Sequence, residues 1–151
     1  MIHLEKIDAN NLWAVVNLKV KRSQKEFVAP NDASIMEAYV ARGTGCSAFP
    51  FAIYNDAKPV GFLMIGFNEA AMYVSEGEEA PSALKNSYSL WRLMIDKRYQ
   101  NRGYGREAIR LALGFIRTRS TGNDKRQMTE GTAAPIPAAR EKLRTQGKTK
   151  L

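Results

Sequence analysis

The chain has 151 residues, 44% of them hydrophobic and 25% charged, and a formal net charge of +8. That is enough for one domain with a real core, and no apolar run approaches the roughly 18 residues that span a bilayer. A single cysteine, Cys46, and a single histidine, His3, exclude an internal disulfide, a Cys/His zinc site and a Ser-His-Asp or Cys-His mechanism.

Cys46 reads as a small apolar side chain and His3 as a surface or strand-edge residue. The first residues, Met1 to Lys6, lack the charged-then-apolar pattern of a signal peptide. The expectation is a cytoplasmic protein with no membrane partner and no metal. Residues 119–151 hold eight basic and three acidic side chains, which makes up +5 of the excess charge. The body carries only a mild positive bias, so nucleic acid is not an expected partner; only the tail argues for one.

Ile2, Leu4 and Ile7 alternate with polar residues and predict a first strand. Asp8, Asn10 and Asn11 offer caps for a helix carrying Leu12, Val15 and Val16 and running to about Arg22. A loop from Phe27 to Asp32 precedes a second helix, capped by Asp32 or Ser34 and ended by Gly43-Thr44-Gly45. Residues 49–54 and 60–67 read as a hairpin joined through Asn55-Asp56-Ala57-Lys58-Pro59. The acidic stretch from Glu69 to Lys85 reads as an exposed connection. Tyr88 to Ile95 is the next strand, and Gly105 to Thr118 a helix with Ile109, Ala112, Leu113 and Ile116 as its apolar stripe.

The order β-α-α-β-β-β-α predicts a mixed α/β (α+β) domain, a largely antiparallel sheet flanked by helices. After Thr118 the texture changes, since residues 119–151 contain no Phe, Trp, Tyr or Val. The expected division is a domain over 1–118 and a basic, divergent or poorly ordered tail over 119–151.

The informative stretch is Leu93-Met94-Ile95-Asp96-Lys97-Arg98-Tyr99-Gln100-Asn101-Arg102-Gly103-Tyr104-Gly105-Arg106. A strand runs through paired glycines into a helix start, whose unpaired N–H groups and dipole suit a pyrophosphate. Arg98, Arg102 and Arg106 add positive charge there.

Gln100-Asn101-Arg102-Gly103-Tyr104-Gly105 resembles the Gln/Arg-x-x-Gly-x-Gly/Ala signature of the GNAT superfamily of N-acetyltransferases. Lys58-Pro59-Val60-Gly61-Phe62 is similar to that family's central hairpin. The segment from Arg92 to Gln100 resembles the diamine and polyamine (spermine/spermidine) branch. The resemblance implies acetyl-CoA as co-substrate, with Leu93, Met94 and Ile95 beside the pantetheine arm. It places the pyrophosphate on Asn101, Arg102, Gly103, Tyr104, Gly105 and Arg106. It also implies direct acetyl transfer to a primary amine of a small cationic molecule such as spermidine or spermine.

Glu26 beside Phe27, together with Glu37, are candidate acceptor-binding residues, as is the acidic stretch Glu76 to Glu79. Glu26 and Tyr39 are candidate catalytic groups. The strand position that is acidic in some relatives matches Trp91 here. The family's closing motif, Asn-x-x-Ala-x-x-Leu-Tyr-x-x-x-Gly-Phe, would place Leu143 at its tyrosine and Lys148 at its phenylalanine. Such a departure fits a reading-frame slip or truncation near Thr118, and implies weakened CoA binding and turnover. A catalytically impaired CoA-binding domain and an enzyme for another amine (amino acid, aminoglycoside or protein N-terminus) stay open, as does a homodimer.

Overall fold

The computed structural model of the protein describes residues 1–121. Four strands, β1 (Ile2–Lys6), β2 (Ser47–Asn55), β3 (Lys58–Phe67) and β4 (Tyr88–Ile95), form one antiparallel sheet in the order β1-β2-β3-β4. This is the expected mixed α/β architecture. Of the expected tail over 119–151, residues 122–151, with Leu143 and Lys148, lie outside the described residues.

Period-two alternation divides the sheet's side chains between two cores. On one face Ile53, Val60, Leu63, Ile65 and Phe67 pack with helix α4 (Tyr104–Thr121) through Ala108, Ala112 and Ile116. On the other, Ala52, Phe62, Met64, Trp91 and Met94 pack with α1 (Leu12–Val16), α2 (Asn31–Ala41) and α3 (Ala70–Ser75). Phe62, Leu63, Met64 and Ile65 are fully buried. Each such side chain contributes roughly 1.5–3 kcal/mol, which makes β3 the centre of the fold.

The register between β3 and β4 shifts between Met64 and Ile65, so that Met64 faces Arg92 and Ile65 faces Leu90. Trp91 is the extra residue of this bulge. Arg92 is buried, and its guanidinium donates to both oxygens of Glu37 on α2, at 3.2 and 3.3 Å. Trp91 is a core residue on the α2 side.

Four expectations are corrected. Helix α1 ends at Val16, not near Arg22, because the backbone at Lys19 is diverted. Its N–H donates to Asp96 Oδ2 at 2.9 Å, and its carbonyl accepts from the Lys97 N–H at 2.8 Å. Only a short 3-10 turn, Arg22–Gln24, follows. The hairpin turn is tighter than the five residues expected: Lys58 already pairs with Asn55, and Asp56 takes a φ of 52°.

The stretch from Glu69 to Lys85 is not simply exposed. It forms α3 and a 3-10 turn at Ser82–Leu84, and buries Glu69, Ala70, Met72, Tyr73 and Leu84. Glu69 accepts a hydrogen bond from Ser89 Oγ at 2.8 Å. Finally, α4 turns Ala108, Leu111, Ala112, Phe115 and Ile116 inward, leaving Ile109 and Leu113 39% and 36% exposed. The two alanines let the helix lie close to the sheet, and Phe115 meets Phe49 and Phe51 edge-on at 5.3 and 5.2 Å. The helix also runs on to Thr121; at its end the Arg119 guanidinium lies 4.6 Å from the Phe49 ring centroid.

Candidate active site

β4 ends where Asp96 turns the chain. Asp96 is 2% exposed, and its carboxylate accepts from the Lys19 N–H (2.9 Å), the Arg98 N–H (3.0 Å) and Arg98 Nε (2.8 Å). Burial raises its pKa, but the bonds from Arg98 and Lys19 outweigh burial and hold the carboxyl below its ordinary range. The loop that follows is built on two left-handed residues, Asn101 (φ 62°) and Gly103 (φ 79°). Gly103 relieves the strain that a side chain would meet there.

At Gly105 a Cβ would meet nothing closer than Ile95 Cγ1 at 3.8 Å. The fold itself does not require that glycine; its bareness opens room toward the cleft. Helix α4 begins at Tyr104, and the Glu107 N–H is bonded to the Gly103 carbonyl at 3.2 Å. The N–H groups of the first turn have no acceptor within the helix.

Beside this loop lies a cleft of about 500 Å³. One wall is Leu93, Met94 and Ile95; one end is Asn101, Gly103, Tyr104 and Gly105; the facing wall is Val20, Gln24, Phe27 and Val28, from the segment between α1 and α2. Tyr99 and Gln100 complete it. The Tyr99 ring has Arg98, Lys58 and Arg102 at 5.2, 5.7 and 5.8 Å from its centroid, which gathers positive charge around the loop.

Of the residues expected at the cofactor, Leu93, Met94, Ile95, Asn101, Gly103, Tyr104 and Gly105 all line the cleft. Arg102 and Arg106 are exposed beside it. Phe27 lines it too, 69% exposed, with Glu26 exposed next in sequence.

The other candidates stand elsewhere. Glu37 is held by Arg92, and Tyr39 borders a separate cavity of about 570 Å³ with Arg42 and Cys46. Glu76, Glu78 and Glu79 are absent from the cleft lining. Cys46 is buried among apolar neighbours, and His3 stacks on Tyr54 at the sheet edge. No local pattern points to Val20, Gln24 and Val28, because they reach the cleft from some 70 residues away in the chain.

The sequence profile of the acetyltransferase (GNAT) family matches residues 13–135. The chain belongs to this family, and by family it is an acetyl-CoA-dependent N-acetyltransferase. Among solved structures it is similar to AAC(6')-Iy in complex with the bisubstrate analogue CoA-S-monomethyl-acetylneamine. That match has 17% identity and a TM-score of 0.50, over 97% of this chain and 88% of that one.

A second similar structure is an acetyltransferase from Thermus thermophilus, at 15% identity and a TM-score of 0.40 over 97% and 85% of the two chains. No curated protein sequence matches. Among the described residues, no cluster of three or more His, Cys, Asp or Glu could hold a metal ion, and no helix is long and apolar enough to cross a membrane.

Proposed function

We propose that the cleft binds acetyl-CoA, and that the chain transfers the acetyl group directly to a primary amine of a small cationic acceptor, a diamine or polyamine such as spermidine or spermine. The observation carrying this reading is the cleft itself. One space is lined together by Leu93–Ile95 of β4 and by Asn101, Gly103, Tyr104 and Gly105 of the glycine loop and α4 start. A thioester arm suits the wall; a diphosphate suits the end, where Arg102 and Arg106 supply charge. In the reaction the amine nitrogen bonds to the thioester carbonyl carbon and gives up a proton, the carbon–sulfur bond breaks, and the sulfur leaves as a thiolate that takes up one proton in turn.

Glu26 is the one carboxylate in the segment 17–30. We assign it, with the exposed face of Phe27, to receive the acceptor's ammonium group. Glu37 we assign to holding Arg92, whose guanidinium donates to both of its carboxylate oxygens. Lys19, Lys21, Arg22 and Lys25 of the same segment favour a second reading, in which the acceptor carries less positive charge than a polyamine, as an amino acid or a protein N-terminus does.

Calorimetric titration with acetyl-CoA, followed by acetylation assays on spermidine, spermine, neamine and an amino acid, tests both. Binding with fastest turnover of spermidine or spermine is expected, and Glu26→Gln should raise the KM for that amine several-fold. Faster turnover of the amino acid selects the second reading. Absence of acetyl-CoA binding overturns the cofactor assignment, and binding without turnover of any amine makes the chain a CoA-binding domain.

A further inference from the structure

We infer that Gln24 is a positioning residue that ties the facing wall of the cleft to the glycine loop, so that a cofactor seated on the loop orders the wall against which the acceptor must bind. The inference rests on the reading of the cleft as the acetyl-CoA site. Gln24 Oε1 accepts from Gln100 Nε2 at 2.8 Å and from the Lys21 N–H at 3.1 Å. Gln24 Nε2 donates to Gln100 Oε1 at 3.4 Å. Gln100 Nε2 also donates to the Ile95 carbonyl at 2.9 Å. The Gln100 amide is thereby clamped between the last residue of β4 and Gln24, one residue before the left-handed turn at Asn101.

The rest of the segment shows why this tether matters. Its start is fixed at Lys19 by Asp96 and Lys97. Its end is fixed at Asn31, which is buried and donates to the Val15 carbonyl at 2.8 Å. Between those anchors the backbone bonds are local: Gln24 to Lys21, Lys25 to Arg22 and Phe27 to Gln24. The described hydrogen bonds that leave residues 20–29 for the glycine loop are those of Gln24. A shift of the loop on taking up a diphosphate is passed to Gln24, and through it to Phe27 and Val28 on the same cleft. The two shorter contacts of the Gln24 side chain use its Oε1 as acceptor, so that acceptor carries the coupling.

Limited trypsin digestion of the full chain reads this directly, since Lys21, Arg22 and Lys25 flank Gln24. Cleavage after each is followed by mass spectrometry with and without saturating CoA, with occupancy set by a separate titration. For the native protein we expect CoA to slow cleavage at these sites about tenfold, the scale of one or two neutral hydrogen bonds. Gln24→Leu keeps the size but removes the acceptor; it should lose most of that protection at equal occupancy and raise the acceptor KM more than the acetyl-CoA KM. Gln24→Glu keeps the acceptor and should retain the protection.

Protection in Gln24→Leu equal to the native protein overturns the inference, as does loss of protection in both variants. If the native protein binds CoA without gaining protection, the coupling fails while the cofactor assignment stands. If it does not bind CoA, both fall. Should Gln24→Leu lack a cooperative thermal transition, the shortened Gln24→Asn, which cannot span to Gln100, takes its place with the same expected loss.

Discussion

Replacing Asp96 by asparagine removes a charge and an acceptor from the point where β4, the segment after α1 and the glycine loop meet. Oδ1 accepts both the Arg98 N–H and Nε, and an asparagine oxygen can keep those bonds in weaker, uncharged form. Oδ2 accepts the Lys19 N–H at 2.9 Å, and an NH2 group there would face a donor with a donor. A hydrogen bond to a charged group is worth roughly 1.5–3 kcal/mol, and the orphaned N–H adds its own cost. The Arg98 side chain is 60% exposed and rehydrates, so its lost ion pair contributes less than about 1 kcal/mol.

We expect Asp96→Asn to destabilise the fold by about 2–4 kcal/mol at pH 7, measured from the urea midpoint at constant m. The sign of the pH dependence follows from the lowered pKa of Asp96. The stabilisation is fully present above the unfolded carboxyl's pKa of about 3.9, and is lost as pH falls through the lower folded value. The gap between native and variant should therefore close below about pH 4. A gap under roughly 0.5 kcal/mol at pH 7, or one that does not change with acid, would refute the assignment of Asp96 as the buried anionic hub.

Gly61→Ala would put a Cβ 2.5 Å from the Met94 carbonyl oxygen and 2.9 Å from Ile95 Cδ1, forcing β3 and β4 apart. Thermal or urea unfolding should show a loss of about 1–3 kcal/mol, with weaker acetyl-CoA binding by calorimetry. Gly103→Ala meets no atom within 4 Å but keeps a φ of 79°, so backbone strain alone should cost about 1–2 kcal/mol in the same assay. Ala108→Lys, at a fully buried position, should abolish the cooperative melt. Ile109→Lys, one residue on but exposed, should stay within about 0.5 kcal/mol of native. Equal effects of the two would mean that α4 turns a different face to the sheet.

The features legible in the sequence are those written in neighbouring residues. Tyr88 to Ile95 is a strand and Gly103 a turn residue for local reasons, and both stand where the pattern puts them. The expected stripe of α4 is half right: Ala112 and Ile116 face the sheet, but Ile109 and Leu113 do not, because the helix lies close through Ala108 and Ala112 and turns Leu111 and Phe115 inward instead. Helix α1 is short because a carboxylate 77 residues away takes the Lys19 N–H. The acidic residues of 76–79 obscure the apolar spacing of Met72, Tyr73 and Leu84. Half the cleft is legible, since Leu93 to Gly105 is one continuous stretch. The facing wall is not, because the match of Gln24 to Gln100 exists only once the chain has folded.

Among the described residues, β4 is paired with β3 on one side only, and its last residues, Leu93 to Ile95, line the cleft. Bare strand edges are templates for self-association. A ligand in the cleft would cover the Leu93 to Ile95 end of this strand and so also act as a shield against aggregation. At a hundred times its Kd a ligand adds about 2.7 kcal/mol to the folded state, and here it would mask the surface through which two chains could zip together. Light scattering during concentration should fall when CoA is present, which makes the choice of storage buffer a consequence of strand order.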